Sequence, residues 1–211
     1  MQFGLLYEAQ RPFTGTAVDW NALYKETLEQ CVLADRMGFD NIWFVEHHFL
    51  TGFSGSPCPE VLLGALSQMT RRVRLGTAVL LPALRPPVVL AHIVGTLDQV
   101  SQGRLILGVG IAADNPAIRK EFDAVGVPFP RRVGRFLETI EICRALWQRD
   151  GVSFAGKHFT LDGATVEPKP HRPGGPPIWI GGSGPTALRE AARLDARVPT
   201  GPSAQAVAGP F

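Results

Sequence analysis

The sequence predicts an α/β fold of the (β/α)8 TIM-barrel type, with only part of the barrel present. Three observations carry this. Short apolar runs alternate with longer amphipathic stretches, the pattern of parallel strands joined by crossover helices. Runs such as 76–81 and 105–109 are apolar throughout, as strands covered on both faces are. The units recur about every 30 residues with polar residues just beyond the strand ends, which favours a barrel over an open sheet. No Gly-x-Gly-x-x-Gly follows the first strand, which weighs against a dinucleotide-binding domain.

The elements follow in order. "QFGLLYE" (2–8) reads as the first strand. "WNALYKETLEQCVLADRMG" (20–38) reads as a helix, with Asp19 as N-cap and Gly38 as its stop. Leu23, Leu28, Val32 and Leu33 lie roughly on one face of it. "FDNIWFV" (39–45) is the second strand and 59–70 the second helix. The third strand spans 72–81 and ends at Pro82; the third helix spans 87–103 and stops at Gly103. "RLILGVGI" (104–111) is the fourth strand. Residues 113–130 read as loop with a short helix, and 132–150 as a long amphipathic helix. The stretch 152–177 holds a short hairpin and then a Pro/Gly-rich run. A fifth strand (177–182) and a fifth helix (185–194) complete the count, with a weak sixth strand near Arg197-Val198-Pro199. The expected organisation is one partial barrel over 1–197 and a loop or tail over 198–211. A full barrel needs eight units, so the sheet is expected not to close.

Composition narrows the function. The chain has 211 residues, 45% hydrophobic and 19% charged, with net charge +2. That charge is too small to argue for nucleic acid or an anionic membrane. No apolar run suits a transmembrane helix, and the N-terminus reads as a strand, not a signal peptide. Cys31, Cys58 and Cys143 are odd in number and widely spaced; neither a disulfide framework nor a zinc site is expected, no metal is called for, and a reducing cytoplasm fits.

The chemistry starts at "NIWFVEHHFLTGF" (41–53), where a strand-like run ends in Glu46-His47-His48-Phe49. In a barrel that end opens onto the active-site face. Side chains alternate, so one histidine should face the mouth and the other pack outward. A second candidate is "GGSGPTA" (181–187). Gly182 and Gly184 let the chain turn tightly, Ser183 and Thr186 add hydroxyls, and the following helix N-terminus favours an anion. A plain Gly-rich turn is the alternative. Trp43, Phe44, Trp147 and Trp179 read as core.

"WFVEHHF", "LGTAVLLPALRPPVVLA", "TLDQVSQGRLILGVG", "RVGRFLE" and "PIWIGGSGPTALREAARL" together resemble the bacterial luciferase-like flavin monooxygenase family, from Met1 to about Leu194. The resemblance implies a (β/α)8 barrel binding FMN, or in other branches F420, at its carboxyl mouth. It implies reduced FMN supplied by a separate flavin reductase, O2 and a small organic substrate as reactants, and a homodimer. It places His47 at the catalytic histidine, with Glu46 and His48 supporting its orientation. Gly110 falls where luciferase has a flavin-facing cysteine. The resemblance makes Ala78-Val79 the candidate for a non-proline cis peptide under the flavin ring. It makes Gly182, Ser183, Gly184 and Thr186 the phosphate turn, with Arg132 or Arg135 as the cationic partner; the other arginine is solvated or paired with Glu138. The alternatives are an F420-dependent oxidoreductase on the same barrel, and a shortened, non-catalytic flavin-binding member.

Overall fold

The computed structural model describes residues 2–10, 17–50, 52–182 and 193–198. Its centre is a six-stranded parallel sheet in the order β1 (Gly4–Tyr7), β2 (Asn41–Phe44), β3 (Arg74–Thr77), β4 (Leu105–Val109), β7 (Ile178–Gly181) and β8 (Ala196–Val198). Every adjacent pair runs parallel. The crossovers are α1 (Trp20–Met37), α2 (Pro59–Met69), α3 (Pro87–Val100) and α5 (Arg132–Gln148), with α4 (Pro116–Ala124) inserted after β4. Strands β5 (Val152–Ala155) and β6 (Thr160–Ala164) form a separate antiparallel hairpin. Among the described residues no pairing joins β8 to β1. The fold is a (β/α) barrel, incomplete in this chain.

Local chemistry sets the element ends. Asp19 caps α1 by accepting the Ala22 N–H at 3.0 Å, and Gly38, at φ 89°, closes it by donating to Ala34 and Asp35. Pro59, Pro87 and Pro116 each open a helix, where the missing N–H costs nothing. Most ends fall within two residues of the sequence reading, and two differ by three or more. Helix α3 stops at Val100 rather than Gly103, because Ser101 and Gln102 turn out of the helix before Gly103 takes a left-handed φ. Strand β3 stops at Thr77 rather than Leu81: past Thr77 the pairing with β4 is reduced to an isolated bridge between Leu80 and Val109, and a 3-10 turn follows at Pro82–Leu84; the Ala78–Val79 peptide, the candidate named above, is cis. The helix read at 185–194 lies outside the described residues, except for Arg193 and Leu194, which sit in a turn and bend before β8.

Alternation along the strands divides two layers. Ile42, Phe44, Leu75, Leu105, Leu107, Val109, Ile178 and Ile180 belong to the core between sheet and helices. The opposite parity carries Trp43 and Trp179, whose rings meet at 5.3 Å across the interior face. At the amino ends of the strands, the Asp35 carboxylate accepts the N–H groups of Arg71, Arg72 and Val73 at 3.0, 3.0 and 2.7 Å. Burial alone would raise that carboxyl, but those amides and the nearby Arg104 charge outweigh it and hold it below its ordinary value.

Candidate functional site at the carboxyl mouth of the sheet

Strand parity sends the cluster after β2 in two directions. His47 continues the interior parity of Asn41 and Trp43, and Glu8 continues that of Gly4 and Leu6 in β1. The two meet: His47 Nε2 lies 3.6 Å from Glu8 Oε2, each side chain 25% exposed. A short segment locks both exits. His47 N–H donates to the Ser56 carbonyl at 3.0 Å, Ser56 Oγ donates to Val45, and Ser54 Oγ and Gly55 N–H donate to the Glu8 carbonyl.

Glu46 takes the other parity, and its side chain is fully buried. One oxygen accepts the Leu81 N–H at 2.8 Å; the other meets Arg85 Nη1 at 2.7 Å and His48 Nε2 at 2.7 Å. Arg85 goes on to Glu60 at 3.1 Å. Burial works against the Arg85 charge, but the Glu46 and Glu60 carboxylates outweigh it and hold its pKa above the ordinary value. The hydrogen bond to Glu46 raises the His48 imidazole against a partial burial that would lower it, with help from Glu121. The His48 backbone N–H also donates to the Glu121 carboxylate on α4 at 3.1 Å. Glu46 thus ties the exit of β2 to the segment carrying the cis bond, and His48 ties it to α4. Neither bonds to His47, so the expected support of His47 by Glu46 and His48 gives way to Glu8 and the 54–56 segment.

The remaining candidates ring the same mouth. Ala78 donates its N–H to the Phe44 carbonyl at 2.7 Å. Gly110 packs on Val79: a Cβ there would lie 2.5 Å from Val79 Cγ2. Arg132 reaches the Ala112 carbonyl after β4 at 3.3 Å and sits 4.0 Å over the Phe129 ring. Arg135 donates to Ala83 after β3 at 3.0 Å and lies 4.6 Å from the Phe159 ring centre. Burial, with the Arg131 charge, lowers the Arg135 pKa. Among the described residues neither arginine has a carboxylate within ion-pair distance. Glu138 is engaged instead with the backbone N–H groups of Lys157, His158 and Phe159, so the Glu138 pairing is not found. Gly182 follows β7 with φ 123°. Ser183, Gly184 and Thr186 lie outside the described residues, so the phosphate turn itself is not placed.

A family model described as luciferase-like monooxygenase matches residues 1–203. The chain belongs to the luciferase-like monooxygenase family. Among the curated relatives, the F420-dependent glucose-6-phosphate dehydrogenase of Microbacterium testaceum is 36% identical over 174 residues, covering 80% of this chain and 50% of the relative. Among solved structures, the monooxygenase RslO1 from Streptomyces bottropensis matches with TM-score 0.81 and 33% identity over 92% of this chain and 57% of its own. An F420-dependent secondary alcohol dehydrogenase matches with TM-score 0.77 and 26% identity over 94% of this chain and 57% of its own. The chain spans about half the length of the curated relatives it matches.

The residues present suit the cofactors of such a family. Glu8 Oε2 and His47 Nδ1 are buried polar atoms without hydrogen-bond partners among the described residues, which marks an incompletely satisfied polar wall. Among the described residues the Arg132 and Arg135 guanidiniums meet carbonyls and aromatic faces, which leaves their charge for an anion. Glu8, Arg85, Glu60 and Glu121 were not singled out in the sequence. Their partners lie far along the chain, and the only signal for Arg85 was its place in "LLPALRPPVVLA".

Proposed function

We propose that this chain forms the cofactor-facing wall of an F420-dependent oxidoreductase acting on a small organic substrate. The observation that carries the reading is the convergence of His47 and Glu8 at the interior side of the mouth. Similarity to F420-dependent dehydrogenases supports the deazaflavin. F420, when bound, exchanges a hydride with the substrate. This chain's residues would do the rest. Arg132 and Arg135 bind the anionic part of the cofactor, the Ala78–Leu81 segment and Gly110 bed its ring, and His47 and Glu8 manage the proton at the substrate. Glu46 and Arg85 hold that bed in register with β2.

The second reading is a monooxygenase with reduced FMN and O2, the FMN being supplied by a separate reductase. It is favoured by the likeness to RslO1 and by the Glu46-His47-His48-Phe49 cluster. Fluorescence titration of F420 and FMN against the protein separates the two. The F420 reading predicts tighter binding of F420 and its reduction in the presence of a small alcohol. Tighter binding of FMN moves the oxygenase reading ahead, and binding of neither removes both.

We also propose a homodimer, supported by exposed Leu33 and Met37 on α1 and by Val61 and Met69 on α2. A cytoplasmic setting is part of the same proposal. Among the described residues no helix is long and apolar enough to cross a membrane.

A further inference from the structure

The β5–β6 hairpin stands outside the parallel sheet, yet its turn is fastened to the first turns of α5. The Glu138 carboxylate accepts the backbone N–H groups of Lys157, His158 and Phe159 at 2.8, 2.9 and 3.0 Å. The turn also closes on itself, with the Gly156 N–H donating to the Phe159 carbonyl at 2.9 Å. A side chain at Gly156 would collide with that carboxylate, and one at Gly134 with the His158 ring. The backbone that carries the Phe159 ring is therefore fixed to the helix. Arg135 lies three residues before Glu138, on the same helical face. Its Nε–H donates to the Ala83 carbonyl at 3.0 Å, and its Cζ stands 4.6 Å from the Phe159 ring centre. The guanidinium is thus held at its edge by a carbonyl and on its face by a ring.

Arg132 is placed differently. Its ring partner, Phe129, also carries Arg119 at 4.7 Å, and Arg119 meets the Asp114 carboxylate through bonds of 2.7 and 2.8 Å. The charge of Asp114 acts on Arg132 as well. The carboxylate that acts on Arg135 is Glu138, and three amides already engage it.

We propose that Phe159 is a positioning residue for Arg135, and that the hairpin turn clamped by Glu138 serves to aim the Arg135 guanidinium at an anion in the mouth. The inference rests on the reading of Arg135 as an anion-binding group and goes beyond it by giving the hairpin a role. It also gives Gly134, Arg135 and Glu138 of "RVGRFLE" a common purpose, since all three meet one turn. A guanidinium fixed before its anion arrives loses less freedom on binding than a rotating one. The ring contact should be worth about three- to ten-fold in affinity.

The first part of the test needs no cofactor. The Arg135 side-chain Nε–Hε resonance should be shifted upfield by the Phe159 ring and should show restricted ps–ns motion. Phe159→Leu should remove both features, and Phe159→Tyr should keep them. A resonance already mobile in the wild type, or unchanged in Phe159→Leu, overturns the proposal. The second part titrates F420 and FMN, each beside its phosphate-free chromophore. Phe159→Leu should weaken the cofactor that binds by about three- to ten-fold and leave its chromophore within about two-fold, while Phe159→Tyr should bind as wild type does. In an Arg135→Ala background Phe159→Leu should have no further effect. No loss, an equal loss for cofactor and chromophore, or the same loss without Arg135 overturns the proposal. The resonance reports on positioning even in a protein that binds neither cofactor, so failure of the proposal and failure of the oxidoreductase reading are told apart.

Discussion

His47 and His48 are neighbours in sequence with different surroundings, and the difference makes them separable by experiment. His47→Ala should slow turnover by roughly 10²–10⁴-fold, the range for a lost acid–base group, with cofactor affinity nearly unchanged in a binding titration. His48 should instead show in stability. Its folded pKa is raised by Glu46, so its contribution is fully present below the unfolded histidine pKa and is lost as pH rises through the folded value. Urea midpoints measured from the acid side of neutrality upward should therefore fall more in wild type than in His48→Asn; parallel curves would show that the Glu46 contact is not linked to proton binding. The separate directions of the two histidines were legible from alternation along the strand. The partners were not, because Glu8 lies in another strand and Arg85 is 39 residues from Glu46.

At the scale of elements, the buried Asp35 carboxylate joins the end of α1 to the entry of β3 through three backbone amides. Asp35→Ala would leave those donors short of an acceptor. Two or more lost charge-assisted bonds are worth about 3–6 kcal/mol in sum, so urea unfolding should show a loss of that order; a loss below about 1 kcal/mol would mean that water replaces the carboxylate at little cost. The helices and the strand order were readable because caps, prolines and apolar runs are local signals. The end of β3 was not. "RVRLGTAVLL" is apolar past Thr77, and periodicity cannot register the backbone turn at Ala78–Val79. The Glu138 clamp on the hairpin turn was hidden for the same reason, since it joins a helix to a loop 19 to 21 residues away.

For the whole molecule, the sheet places every described candidate, from Glu8 to Gly182, at one end of parallel strands, which is what a shared cofactor site requires. The proposed dimer predicts a sedimentation mass of two chains, and Met37→Lys with Val61→Lys should shift it to one. The central claim is that this mouth binds an anionic, ring-bearing cofactor, with arginine charge directed at its phosphate. The most direct measurement is a titration of F420 and of FMN, each paired with its phosphate-free chromophore, against wild type, Arg132→Ala and Arg135→Ala. The account predicts that wild type prefers the phosphate-bearing member of the pair it binds, F420 in the leading reading. Losing the arginine that holds the phosphate should weaken that cofactor by roughly 10–100-fold, as expected for one charge-assisted contact, and leave the phosphate-free chromophore within about two-fold. Wild type binding neither cofactor better than its phosphate-free chromophore, or both arginine variants binding the cofactor as wild type does, would contradict it.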